Sequence, residues 1–237
     1  MARAGAVIVS AGVGKRMNAG VSKQYIPVGG KPIVIHALEA FERTASVDAV
    51  ALVVGAGDEA YGRELVETYG LRKVVAVVAG GAERQHSVRR GLEALLERRP
   101  ETAWALVHDG ARPLVTPDVI ERSLAAAAET GASVPGVPVK DTIKIADADG
   151  LVAGTPERSS LWAVQTPQAF RVDLLVEAHR RAEAEGFLGT DDAMLVERLG
   201  VRVKIAEGDY TNLKVTTPDD LEVAERLLSR RMGERDR

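Results

Sequence analysis

The sequence predicts an α/β fold with a mostly parallel open sheet and helices on both faces. Three observations carry that prediction: short β-branched apolar runs, helical segments between them, and a glycine-containing loop straight after the first run. The runs are Gly5–Val9, Val50–Val54, Val74–Ala79 and Ala103–Val107. Their lengths suit strands buried on both faces. Between them, Ile33–Phe41 carries Ile33, Leu38 and Phe41 at helical spacing after Pro32, while Glu59–Tyr69 and Val88–Leu96 are amphipathic. Asp118–Glu129 follows Thr116-Pro117, a cap and first-turn proline. Strands alternating with helices imply right-handed parallel crossovers.

The alternation breaks after Val139. Ile143–Ala146 and Leu151–Ala153 flank Asp147-Ala-Asp-Gly150, a hairpin turn. Helices at Asp173–Glu185 and Asp191–Leu199, strands at Val201–Ala206 and Asn212–Val215, and a helix from Thr217-Pro218 to Leu228 follow, with a frayed tail over Ser229–Arg237. The chain reads as a single domain over 1–237, with an inserted arm at about 138–166.

Composition narrows the function. The 237 residues are 46% hydrophobic and 27% charged, enough for a real core built from Val, Leu, Ile and Ala, because aromatics are only 4%. With no cysteine there is no disulfide, thiolate nucleophile or Cys-ligated zinc. A net charge of −3 gives no footprint for nucleic acid or an anionic membrane surface. No run approaches the roughly 18 apolar residues of a membrane span. Without a leader-like start, a cytoplasmic protein is expected.

Ser10-Ala-Gly-Val-Gly-Lys-Arg-Met17 lies where open α/β sheets bind ligands, beyond the carboxyl end of a strand. Gly12 and Gly14 let the backbone approach a phosphate, and Lys15, Arg16 and Lys23 add charge. A tight turn with solvated cations is the plainer reading of the glycines alone. The loop is not a P-loop, since Arg16 follows Gly14-Lys15 and the earlier glycine position holds Val9. A dinucleotide fingerprint fails at Met17 and lacks an acidic residue closing the second strand.

Val107-His-Asp-Gly-Ala-Arg-Pro113 closes the fourth strand. Asp109 is placed to hold Mg²⁺ and Arg112 to fork onto a phosphate, or the two form a structural ion pair. His108 reads as a packing or supporting residue, and no pair of the histidines 36, 86, 108 and 179 has metal-site spacing.

Seven motifs occur in order: Ser10-Ala-Gly-x-Gly-x-Arg-Met, Lys23-Gln-Tyr, Gly80-Gly-x-x-Arg-x-x-Ser87-Val, Val107-His-Asp-x-Ala-Arg-Pro113, Gln165-Thr-Pro-Gln168, Thr190-Asp191 and Asn212-Leu-Lys-Val215. Together, from about Ala4 to Leu228, the chain resembles the 2-C-methyl-D-erythritol 4-phosphate cytidylyltransferases of the non-mevalonate isoprenoid pathway. The resemblance implies a Rossmann-like nucleotidyltransferase fold with a protruding β-hairpin dimerisation arm, CTP and a polyol phosphate as substrates, a divalent cation such as Mg²⁺, and a homodimer. It implies that Arg16 and Lys23 bind the triphosphate and stabilise the transition state, that Asp109 holds the metal, and that Lys214 lies beside the metal and the attacking group. Ser10, Ala11, Gly12 and Gly14, with Gly81, Ala82 and Ser87, are implied to hold the nucleotide. Asp109, Arg112, Thr166 and Thr190 of one subunit and Thr142 and Arg158 of its neighbour are implied to bind the acceptor. Trp104 and Trp162 read as core and arm packing. The chain departs from the family at Ala82, often acidic there, and at Ser22, often proline. A cytidylyltransferase for another polyol phosphate, such as ribitol 5-phosphate, and a catalytically silent nucleotide sensor are the alternatives.

Overall fold

The computed structural model describes residues 3–12 and 22–235. Its sheet is built outward from β1 (Ala4–Ser10), which pairs in parallel with β4 (Val47–Val54) on one side and β6 (Trp104–Asp109) on the other. β5 (Val74–Ala79) continues the parallel set beside β4. Beyond β6 the sheet turns mixed. β11 (Gln168–Arg171) runs antiparallel between β6 and β7 (Ala132–Pro138), and β10 (Trp162–Val164) pairs antiparallel with the far end of β7. β12 (Lys204–Glu207) lies parallel on the other edge of β7. Two short ladders stand apart: β2 (Pro27–Val28) with β3 (Lys31–Pro32), and β8 (Ile145–Ala146) with β9 (Val152–Gly154).

Strand alternation divides the core into two layers. Ala6, Ile8, Val50 and Leu52 face α1 (Ile33–Arg43), α2 (Glu59–Thr68) and α4 (Pro117–Thr130), which contribute Leu38, Phe41, Leu65, Val119 and Ile120. On the other face, Val7, Ala51 and Val53 meet α3 (Arg84–Arg98), α5 (Val172–Ala184) and α6 (Asp192–Glu197), which bring Val88, Leu92, Leu175, Ala178 and Leu195. Helices therefore cover both faces, as the period-2 alternation of a doubly buried sheet requires. At the start of α4 the Thr116 hydroxyl accepts from the Val119 amide ahead of Pro117, so the predicted cap is in place. No helix among the described residues is long and apolar enough to cross a membrane.

Three expectations are corrected. Asn212–Val215 is not a strand; Leu213 and Val215 pack from a loop into a small cluster with Ile33, Leu114 and Ala224. The strand expected at Val201 begins only at Lys204. The last helix, α7 (Pro218–Arg235), does not fray at Ser229, because Arg231 ties it to the Leu114 carbonyl and the Thr211 hydroxyl. The expected hairpin turn is present: Asp147 Oδ1 accepts from the Asp149 and Leu151 amides and closes it.

Candidate active site

β1, β5 and β6 are parallel, so Ser10, Ala79 and Asp109 all end at the same edge of the sheet. There the chain leaves a cleft of about 280 Å³, lined by Ser10, Ala11, Gly12, Lys23, Gly81, Ala82, Ser87, Asp109 and Lys214 among others. Each of these nine was anticipated from the sequence. Gly14 and Arg16 lie outside the described residues.

Two glycines let the loops close on one another. A Cβ on Gly80 would stand 2.3 Å from Ala11 Cβ, and one on Gly110 would stand 2.1 Å from Ser10 Oγ. Any larger residue would separate the first loop from the two loops facing it. Ser87 shapes the second loop, its hydroxyl accepting from the Gly81 amide at 3.0 Å and donating to the Glu83 carbonyl at 3.1 Å. Ser10 Oγ is buried without a hydrogen-bond partner among the described residues.

Asp109 is the electrostatic centre. Arg84 Nε donates to its Oδ1 at 3.1 Å, and Lys214 Nζ stands 2.8 Å from its Oδ2. Burial alone would raise this carboxyl, but the Arg84 and Lys214 charges outweigh it and hold Asp109 well below the usual carboxylate range. The alternative of an Asp109–Arg112 ion pair is not realised. Arg112 Nη1 donates instead to the Asn212 carbonyl at 2.7 Å, and its Nε is buried without a partner among the described residues. Burial pulls the Arg112 guanidinium below its ordinary value.

His108 supports this centre from within the core. It is completely buried, and burial pushes its pKa down to about 3. Its Nε2 faces the Arg112 carbonyl at 3.3 Å, so the neutral ring carries its proton there and accepts from Thr166 Oγ1 at Nδ1, 3.0 Å away. Thr166 Oγ1 in turn accepts from the Asp109 amide at 3.1 Å. Asn212 Nδ2 donates to the Thr166 carbonyl at 2.9 Å, and the Val215 amide donates to the Ala111 carbonyl at 2.8 Å. These bonds carry Lys214 to Asp109 from a distant part of the chain.

Arg84, Asp192 and His179 escaped the sequence reading as site residues. Arg84 Nη1 donates to Asp192 Oδ2 at 2.6 Å, and His179 Nε2 to Asp192 Oδ1 at 3.0 Å. The one signal was the position of Arg84 within Gly80-Gly-x-x-Arg, where an arginine opening a helix otherwise reads as a surface charge. Thr190, just before Asp191 caps α6, is exposed and does not line the cleft. Thr142 and Arg158 sit on the exposed arm, where Arg158 Nη1 donates to the Lys140 carbonyl at 3.0 Å. Trp104 packs against the core, whereas Trp162 is 38% exposed at the base of the arm.

The donor set fits a divalent cation carried on phosphates. Each Asp109 oxygen takes one cationic donor and keeps a lone pair for a hard ion, and Mg²⁺ commonly uses one carboxylate alongside phosphate oxygens and waters. Among the described residues, no three His, Asp or Glu gather to hold an ion by themselves.

Residues 4–230 match the family described as 2-C-methyl-D-erythritol 4-phosphate cytidylyltransferase. Relatives bearing that name share 52% identity over 230 residues (Geobacillus thermodenitrificans; 97% of this chain, 98% of the relative) and 49% over 228 residues (Geobacter metallireducens; 96% and 98%). The crystal structure of 4-diphosphocytidyl-2C-methyl-D-erythritol synthase from Anaerococcus prevotii superposes with a TM-score of 0.84 at 32% identity, over 96% of both chains. That of 2-C-methyl-D-erythritol 4-phosphate cytidylyltransferase from Thermus thermophilus gives 0.75 at 36%, over 94% of this chain and 98% of the other. With sequence and fold matching along almost the whole length, the chain belongs to the 2-C-methyl-D-erythritol 4-phosphate cytidylyltransferase family.

Proposed function

We propose that the protein transfers the cytidylyl group of CTP to 2-C-methyl-D-erythritol 4-phosphate and releases pyrophosphate, a step in making isoprenoid precursors by the non-mevalonate route. The observation that carries this reading is one cleft lined by the two glycine loops together with Lys23, Asp109 and Lys214.

An acceptor phosphate oxygen attacks the α-phosphorus of CTP, and the bond to the β-phosphate oxygen breaks. The attacking phosphate is already an anion, so no strong general base is required. Rate comes from alignment and from charge placed where the pentacoordinate transition state gains it. Lys23, which lines the cleft, would bind the triphosphate, and the family resemblance gives Arg16 the same role. Lys214 leaves Asp109 to meet the attacking and α-phosphate oxygens. Asp109 would hold Mg²⁺, which when bound neutralises phosphate charge. Ser10, Ala11 and the Gly81–Ala82 segment, held in shape by Ser87, read the cytosine edge. Arg112 and Thr190, which lie outside the lining of the cleft, would have to close on the acceptor beside it, and Thr166, its hydroxyl held by His108 and the Asp109 amide, would shape that side.

The second subunit belongs to the same proposal. The arm exposes Ile145, Leu151 and Val152 (55, 67 and 62% exposed), and its two short strands bury little between themselves. Such a hairpin gains stability only against a partner surface. A homodimer joined there brings Thr142 and Arg158 to the neighbour's acceptor pocket.

Pyrophosphate release with CTP, UTP, ATP and GTP, each with methylerythritol phosphate or ribitol 5-phosphate, tests the assignment. The expected result is release with CTP and methylerythritol phosphate, strongly preferred over the other nucleotides. Faster release with ribitol 5-phosphate overturns the acceptor, and equal use of ATP overturns the base pocket.

A further inference from the structure

Arg84 has no part in the reaction as proposed, yet it touches the central carboxylate. Its two nitrogens are pinned to different carboxylates, Nε to Asp109 at 3.1 Å and Nη1 to Asp192 at 2.6 Å. Asp192 is itself fixed: its side chain is 1% exposed and takes a second bond from buried His179. Lys214, the other cation on Asp109, has a side chain 41% exposed, against 27% for Arg84. An exposed ammonium on a long stem can swing towards a phosphate, whereas a guanidinium anchored at both ends stays. Once Lys214 swings away, Arg84 is the cation still bonded to Asp109 among the described residues, since Arg112 acts on it from nearby but spends its Nη1 on the Asn212 carbonyl.

We propose that Arg84 is the fixed counter-ion of Asp109, a positioning residue that neutralises the carboxylate as Lys214 moves to substrate and that keeps the nucleotide-free cleft from capturing a free divalent cation. A divalent cation would then reach Asp109 only together with the nucleotide's phosphates. This rests on the reading that Asp109 faces a phosphate-borne cation. An arginine is required because the role needs two donors on separate nitrogens; a lysine keeps the charge but has one ammonium to span both carboxylates.

The test is Mn²⁺ binding to nucleotide-free protein, followed by electron paramagnetic resonance of the free ion, alongside kcat with CTP, methylerythritol phosphate and Mn²⁺. Wild type, Arg84→Gln and Arg84→Lys are compared, each checked for folding by circular dichroism. Removing the positive charge should tighten Mn²⁺ binding by about tenfold or more in Arg84→Gln while kcat falls at least about tenfold. Arg84→Lys should keep the weak Mn²⁺ binding of wild type and still lose turnover. A merely structural arginine would weaken both together. Folded Arg84→Gln with unchanged Mn²⁺ affinity or unchanged kcat overturns the proposal. Should Arg84→Gln not fold, tightened Mn²⁺ binding or full turnover in Arg84→Lys overturns it equally. Asp109→Asn separates the two levels: full turnover in that variant sinks the phosphate-site reading itself. An inactive Asp109→Asn beside an unaltered Arg84→Gln refutes only the role of Arg84.

Discussion

Lys214 Nζ stands 2.8 Å from Asp109 Oδ2, although the two residues come from distant parts of the chain. The contact depends on a loop without regular structure, stitched down by Asn212 on Thr166 and by the Val215 amide on Ala111. A cation delivered this way is positioned by backbone bonds, and its side chain is left half-exposed at the cleft.

Lys214→Met should therefore damage the chemical step more than nucleotide binding. We expect kcat to fall on the order of 10²-fold, the scale of losing one aligned charge at a transition state, with the CTP dissociation constant within a few-fold of wild type. Steady-state kinetics and calorimetric CTP titration check this together. Weakened CTP binding at unchanged kcat would make Lys214 a ground-state contact.

His108 gives the fold a pH dependence whose sign can be worked out. Its pKa falls from 6.5 to about 3 on burial, so between those values the unfolded chain binds more protons than the folded one. Stability is complete above about pH 6.5 and is lost as pH falls towards 3. Asp109 and Asp192, also held low, add their loss only below the ordinary carboxylate range. Urea unfolding between pH 6.5 and 4.5 should thus show a slope that His108→Gln flattens. An equal slope in both proteins would mean that His108 titrates normally.

Subunit mixing tests the arm. Arg158→Ala should impair acceptor use and spare CTP binding, at a cost of about 1.5–3 kcal/mol for a charge-assisted bond to phosphate. Lys23→Ala should abolish turnover from the other half of the site. Mixed after subunit exchange, the two proteins should show more activity than the sum of either alone, because some heterodimers hold one site with both intact halves. No recovery despite demonstrated exchange would put Arg158 in its own subunit's site or outside any site.

The parallel half of the fold was legible because its strands are continuous apolar runs such as Ala49–Val54, buried on both faces by helices with clear periodicity. The antiparallel half was not. β7 contains Pro135, Gly136 and Pro138, and β10 and β11 are only three and four residues long, so neither pattern nor propensity marks them. Asn212–Val215 misled for the opposite reason: Leu213 and Val215 alternate as in a strand but fill a cluster under α7 from a loop. In the site, the glycine loops and Asp109 could be read from strand ends. The Arg84–Asp192 pair could not, since its partners are brought together only by packing α3 against α6 through α5.

In the proposed reaction the cytidylyl group passes directly between substrates in this cleft, with no covalent cytidylyl–enzyme stage. Exchange of radiolabelled pyrophosphate into CTP, measured with and without methylerythritol phosphate, tests it most directly. Exchange is expected only when the acceptor is present, since pyrophosphate can re-form CTP only from the product diphosphate. Exchange in the absence of acceptor would contradict it.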